Sequence, residues 1–335
     1  TAAAGISMTL HVALALERWP LLEPFEIARE TIADLPLLHL TLTDAEGRQG
    51  RAEAAGVDYE DETPEGMART IRAVAPALRA DLDGDALAAL LPSGGARNAV
   101  DCALWDLRAK QTGVRAWEMA GLPPLHPLTT AFTLGLGAAE DVRRRARAVK
   151  DLPLIKLKVD RTRHIDLVRI VREELPSSRI VVDANESWTP GLLESLLPAM
   201  AGEGVELIEQ PLPRGADEAL EMMASPIPIA ADESCTDRAS LPALVSRYQA
   251  VNIKLDKCGG LTEALALAHA ARALGLDVMV GNMCGTSLGM APAFLVAQLA
   301  RWVDLDGPLL QHSDRPHPMT YTTGIVHPPE PELWG

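Results

Sequence analysis

From about residue 128, short apolar segments recur at steps of about 25 residues, and this rhythm constrains the fold more than any other feature. Their centres fall near Phe132, Leu157, Val182, Leu207, Ile229, Ile253, Met279 and Val303. Ala-, Leu- and Arg-rich stretches of helical texture separate them. Strands alternating with helices make parallel β/α units, and eight such strands predict a closed barrel. An open doubly wound sheet is the alternative. No G-x-G-x-x-G follows a strand, so the phosphate turn of a dinucleotide-binding version is missing.

The first third of the chain has a different texture. Residues 8–16 and 37–43 are strand-like, residues 44–48 form a turn, and a further strand lies near 50–54. Residues 19–30, rich in Pro and Leu, read as a loop. The acidic run at 58–65 reads as a second, solvated loop. Helical patterns cover about 64–80, 84–91 and 95–112, where Val100, Ala103, Leu104 and Leu107 fall at helical spacing. Residues 121–127, with three prolines, read as a linker. The expected division is therefore an α+β unit over 1–125 and a barrel over 126–335.

Composition narrows the partners. A net charge of −15 argues against nucleic acid, and three Phe and three Tyr leave little for base stacking. No apolar run reaches the roughly 18 residues that span a membrane. No charged segment leads into an apolar run and cleavage site. Four cysteines without C-x-x-C spacing suit reduced thiols in a cytoplasmic protein.

In a (β/α)8 barrel, chemistry gathers at the C-terminal ends of the strands. The second strand carries Lys156 and Lys158, which point to one face because side chains alternate. Alone, such a pair is better read as a solvated edge. The third strand ends with Asp183 and Asn185, the fourth with Glu209, and the fifth with Asp232 followed by Glu233. The sixth carries Lys254 and ends with Lys257, and the eighth runs into Asp304-Leu-Asp306. One strand-terminal carboxylate is usually a helix cap. Three in succession, flanked by lysines, make an oxygen wall suited to Mg²⁺. No histidine ends a barrel strand, which disfavours a zinc site.

A metal that chelates a substrate carboxylate stabilises an enediolate and makes the adjacent C–H acidic. An amine base must be deprotonated, and nearby positive charge favours that form. Two bases on opposite faces invert a stereocentre, whereas one base and a leaving group eliminate. Lys257, at the strand-to-loop junction, is the better catalytic candidate on its strand. Lys156 and Lys254 suit support of the carboxylates.

Lys156-Leu-Lys158, Asp183-Ala-Asn185, Glu209-Gln-Pro211, Asp232-Glu233 and Lys254-Leu-Asp-Lys257-Cys-Gly-Gly260 together resemble the enolase superfamily, muconate-lactonising subgroup. The resemblance spans nearly the whole chain. It implies an N-terminal α+β capping domain on a (β/α)7β barrel, with specificity loops near 19–30 and 55–65 and a C-terminal tail returning to the cap. Asp304-Leu-Asp306 resembles the D-x-D motif of dipeptide epimerases, which holds the substrate ammonium. Residues 182–188 and 251–267 are similar to bacterial L-Ala-D/L-Glu epimerases. The resemblance implies one Mg²⁺ per subunit on Asp183, Glu209 and Asp232, with Asn185, Lys254 and Glu233 in support. It implies Lys158 and Lys257 as the acid/base pair, acting on a dipeptide released from peptidoglycan. Members of that family are often homo-oligomers.

Arg29, in Pro24-Phe-Glu-Ile-Ala-Arg29, is the candidate for the side-chain carboxylate of Glu. Met283 and Cys284 are the candidates for the pocket wall, beside Lys156. The acidic loop would instead favour a cationic dipeptide if it faced the site. Within the superfamily the rival is o-succinylbenzoate synthase or cycloisomerase chemistry, which needs no ammonium clamp. A Schiff-base aldolase on Lys158 would need no metal. A non-catalytic binding protein on the same scaffold ranks last.

Overall fold

The computed structural model describes residues 9–26 and 31–335. At the N-terminal end, β1 (His11–Glu26), β2 (Thr31–Thr43) and β3 (Gln49–Ala54) form an antiparallel sheet in that order. The pairing of β1 with β2 runs from His11↔Thr43 to Glu26↔Thr31, with a register shift between Pro20 and Phe25. Residues 19–26, read above as loop, are therefore strand. Pro20 and Pro24 disguise it, but β1 is an edge strand, where a missing N–H need break no ladder bond.

Helices Pro64–Val74 and Gly95–Thr112 pack on this sheet, and Gly84–Leu90 packs against the latter. The first ends at Val74 rather than near residue 80. Pro76 has no N–H to continue the ladder, and Ala75–Ala77 closes as one 3-10 turn. The long third helix presses on β3 at Gly50, where a Cβ would lie 2.0 Å from the Ala103 carbonyl oxygen. Only glycine fits there.

After β4 (Leu128–Thr129) come the barrel strands. They are β5 (Phe132–Leu134), β6 (Leu154–Lys158), β7 (Arg179–Asp183), β8 (Val205–Glu209), β9 (Ile229–Ala231), β10 (Ala250–Ile253), β11 (Asp277–Val280) and β12 (Trp302–Val303). They neighbour one another in sequence order, all parallel. A bond from Ala131 N to Val303 O, 2.7 Å, ties the last strand to the first. Every strand centre expected from the sequence lies within its strand. No α-helix follows β12, only the 3-10 turn Gly307–Leu310, so the architecture is (β/α)7β. The short strands β13 (Tyr321–Thr322) and β14 (Ile325–Val326) then pair back to β4. The chain end reaches the cap: Ala116 N donates to Gly335 O, and Trp334 Nε1 to Cys102 O. Among the described residues no helix is long and apolar enough to cross a membrane.

The barrel interior starts with an apolar ring. Ala131, Leu154, Val181, Leu207, Ala230, Ala250, Met279 and Trp302 form one buried cluster, one residue from each strand or the residue just before it. Because side chains alternate, the residues two positions on also point inward. Those are Thr133, Lys156, Asp183, Glu209, Asp232, Asn252, Gly281 and Asp304. The fold thus places a polar layer directly above an apolar one.

Candidate active site

In this polar layer each ammonium lies against carboxylates. Lys156 Nζ lies 2.7 Å from Glu209 Oε2, 3.1 Å from Asp183 Oδ2 and 3.0 Å from Asp304 Oδ2. One pleat higher on β6, Lys158 Nζ donates to Asp183 Oδ2 at 2.6 Å and Asn185 Oδ1 at 2.9 Å. Across the site Lys254 Nζ donates to Asp232 Oδ2 at 2.7 Å. Lys257 Nζ donates to Asp232 Oδ1 at 2.6 Å and to the Asn252 carbonyl at 3.0 Å. The strand expected to end at Lys257 ends at Ile253. Lys257 instead sits on the helical turn Leu255–Cys258, which carries its amine back toward Asp232.

The lysines and the outer carboxylates hold one another in their ionised forms, and Glu209 between them does not follow. Burial alone would raise Asp183, but Lys158 and Lys156 hold it well below the usual carboxylate range. Asp232 behaves likewise, with Lys254 and Lys257 outweighing its burial. Burial, with Asp183 beside it, pushes the Glu209 carboxyl up to about 8 despite Lys156. Lys156 and Lys254 are buried too, yet neighbouring carboxylates, Asp304 first for Lys156 and Asp232 first for Lys254, raise both.

Six buried carboxylates (Asp183, Glu209, Asp232, Glu233, Asp304, Asp306) face four buried lysines (Lys156, Lys158, Lys254, Lys257). Carboxylate oxygens on three adjacent strands, Asp183, Glu209 and Asp232, are donors that fit a divalent hard cation. Among the described residues no three His, Cys, Asp or Glu side chains already converge as a metal cage. The lysines stand between Asp183, Glu209 and Asp232 instead.

A cavity of about 420 Å³ opens above this layer. Lys158, Asn185 and Lys254 reach it from the barrel, and Asn282, Met283 and Cys284 form one wall. The cap supplies the roof, including Phe25, Thr31, Ile32, Asp58 and Tyr59. Lys257 faces a separate cavity of about 350 Å³, with Tyr59 shared between the two. Asp304 and Asp306 line neither. Asp304 accepts from Lys156, and Asp306 Oδ2 accepts from Thr133 N at 2.6 Å. Burial and then Asp304 push Asp306 up to about 7. Arg29 lies outside the described residues.

The acidic run is solvated as expected, with Asp58, Glu60, Asp61 and Glu65 exposed, but two of its acids are engaged. Glu62 accepts from Gly95 N and Ala96 N at the start of the long helix, and Glu60 pairs with Arg214. Asp58 is the acid of this run that lines the cavity.

Sequence reasoning passed over two neutral amides. Asn252 Nδ2 donates to Glu209 Oε1 at 2.7 Å. It stands on β10 two before Lys254, which directly follows that strand, and this spacing is the signal that would have found it. Gln210 Oε1 accepts from Asp232 N and Ser234 N, at 2.8 and 3.1 Å, and so orients Asp232 from behind.

Two family models match the chain. Residues 138–332 match the family model described as enolase C-terminal domain-like. Residues 8–121 match the mandelate racemase / muconate lactonizing enzyme N-terminal domain. An N-acetyl-D-glutamate racemase from Pseudoalteromonas sp is 42% identical over 73% of this chain and 78% of its own. The L-Ala-D/L-Glu epimerase of Escherichia coli (strain K12) is 38% identical over 93% of this chain and 97% of its own. Among solved structures, an enolase family member from Agrobacterium tumefaciens with homology to dipeptide epimerases, bound to sodium and L-Ala-L-Glu, superposes with a TM-score of 0.94. It is 41% identical and covers 97% of this chain and 100% of that one. A dipeptide epimerase from Methylococcus capsulatus, complexed with Mg and L-Arg-D-Lys, gives a TM-score of 0.87 at 28% identity, covering 98% and 99%.

Proposed function

The chain belongs to the mandelate racemase / muconate lactonizing enzyme family of the enolase superfamily and is an isomerase of the epimerase and racemase kind, and on that premise we propose that it epimerises a dipeptide at the α-carbon of its C-terminal residue. The substrate we assign is L-Ala-D-Glu, interconverted with L-Ala-L-Glu. This reading carries with it a cytoplasmic setting, the recycling of peptidoglycan peptides, and a functional division into a cap over 1–125 and a barrel over 126–335.

The observation that carries the reading is the placement of Lys158 and Lys257 on opposite sides of Asp183, Glu209 and Asp232. Those three carboxylates would hold one Mg²⁺. When bound, the metal supplies positive charge to a substrate carboxylate as electron density moves onto it. One lysine, in its unprotonated form, takes the α-proton. The C–H electron pair delocalises into the substrate carboxylate. The other lysine, as an ammonium, delivers a proton to the opposite face, and inversion follows. Lys156, Lys254 and Asn252 keep the carboxylates in place.

Two relatives support glutamate at the reacting position: the Escherichia coli epimerase and the Agrobacterium tumefaciens structure with L-Ala-L-Glu. In this reading Arg29 meets the side-chain carboxylate. It lies in sequence between Phe25 and Thr31, which both line the cavity roof.

A second reading rests on one feature of the D-x-D pair. Asp304 is already engaged by Lys156 and Asp306 by Thr133, and neither lines the cavity. An N-acylated glutamate needs no ammonium clamp, and the relative at 42% identity is an N-acetyl-D-glutamate racemase. One panel separates the two. With Mg²⁺ present, turnover of L-Ala-D-Glu, L-Ala-L-Glu, cationic and hydrophobic dipeptides and N-acetyl-D-glutamate is followed by proton NMR. The dipeptide reading expects L-Ala-D/L-Glu to be preferred, and Asp304→Asn with Asp306→Asn to abolish that turnover. Preference for N-acetylglutamate, with the Asn variants still active, would sink it.

A further inference from the structure

The loop after the last barrel strand places one side chain where three parts of the cavity frame meet. Arg315 Nη2 lies 2.8 Å from Glu53 Oε2 on β3 and 2.7 Å from Glu17 Oε2 on β1. Its Nη1 donates to Glu17 Oε1 at 3.1 Å, and its Nε donates to Thr286 Oγ1 at 3.1 Å. The guanidinium also sits over the Trp19 ring, 4.7 Å from the centroid. Trp19 Nε1 in turn donates to Glu17 Oε2 at 3.0 Å.

Glu53 completes the knot. It is buried, and it accepts from Thr286 N at 2.6 Å and from Thr286 Oγ1 at 2.5 Å. Thr286 directly follows the loop whose Asn282, Met283 and Cys284 form the cavity wall. Cys284 is held at a φ of 62°, a left-handed conformation that is unfavourable for a non-glycine residue and persists only when the surroundings enforce it. Glu17 and Trp19 lie on β1, whose far end, paired with β2, gives Phe25, Thr31 and Ile32 to the roof. A single guanidinium therefore joins the roof strand to the wall.

We propose that Arg315 is a positioning residue that fixes the β1–β2 hairpin and the 283–287 loop in one geometry and so sets the fit of the cavity to the substrate side chain. It touches none of the lysines or carboxylates on β6 to β10. Its loss therefore weakens substrate fit more than chemistry. The kinetic half of this inference rests on the epimerase reading; the structural half does not.

The test uses Arg315→Lys, which keeps the charge but not the planar fork, and Glu17→Gln, which releases the hairpin and spares the buried Glu53. Amide hydrogen exchange is read first. Both variants are expected to speed exchange in residues 17–26, 31–35 and 283–287 by roughly tenfold, the scale of one charge-assisted hydrogen bond. Amides of β6 to β9 should stay unchanged. With the substrate the enzyme turns over, KM should rise by a similar factor while kcat stays within about twofold. Unchanged exchange in the hairpin and loop, uniformly faster exchange everywhere, or a fall in kcat at constant KM would each overturn the proposal. The exchange readout is independent of substrate identity. An inactive wild-type protein would end the epimerase reading and leave this measurement decisive on its own.

Discussion

The two inner layers of the barrel come from the same eight strands and the same side-chain parity, yet they do opposite work. The lower layer runs Ala131, Leu154, Val181, Leu207, Ala230, Ala250, Met279, Trp302 and is wholly apolar. Two residues on, every apolar side chain gives way to a polar one or, at Gly281, to none. The lower ring excludes water and contributes stability through burial. The upper ring spends that dry environment on charge: Lys156 stands among Asp183, Glu209, Asp232 and Asp304, with Lys158, Lys254 and Lys257 reaching in from just beyond it. Geometry makes the layers equivalent; position along the strand, at the C-terminal mouth, decides which one carries chemistry.

Substitutions should separate the layers cleanly. The largest effect is expected at Asp232→Asn in the upper layer, which weakens one of the three proposed metal ligands and removes the charge partner of both Lys254 and Lys257. Turnover should drop by roughly a thousandfold, and leaving Lys254 and Lys257 without their buried partner should lower the melting temperature as well; steady-state kinetics on the folded variant and calorimetry check both. Leu207→Ala in the lower layer should lower stability and leave turnover nearly intact. It should cost about 2–5 kcal/mol of stability by leaving a cavity, with kcat within a few-fold of wild type. A Leu207→Ala variant that folds normally but loses turnover would break the comparison.

A smaller effect probes the seam between barrel and cap. Asp256 Oδ1 accepts from Gly56 N at 3.0 Å, and burial pushes this carboxyl up to about 7. An acid raised in the folded state adds no penalty below its unfolded pKa. The penalty grows as pH rises from about 4 to 7 and is constant above. Asp256→Asn keeps the acceptor and removes the ionisation. Its melting temperature relative to wild type should therefore climb by ~2 °C or more across that range. A flat difference would show that Asp256 ionises freely.

Much of this was legible because it follows strict periods. The spacing of about 25 residues marks all eight strands, and the alternation of two puts Lys156 and Lys158 on one face. What escaped has physical causes. Residues 19–26 hid as a loop because edge strands tolerate prolines that central strands do not. Asn252 and Gln210 are neutral, so no charge pattern drew attention to them. The Arg315–Glu53 pair joins residues 262 positions apart, and no local signal reports such a contact.

The account's central claim is that Lys158 and Lys257 act on opposite faces of one carbon. The direct measurement is α-proton exchange in D₂O, with Mg²⁺, for each diastereomer of the turned-over substrate in wild type, Lys158→Met and Lys257→Met. Wild type should exchange and interconvert both diastereomers. Each variant should lose interconversion, and each should keep exchange of one diastereomer only, a different one in each variant. Interconversion surviving in either variant, or the same diastereomer exchanging in both, would contradict it.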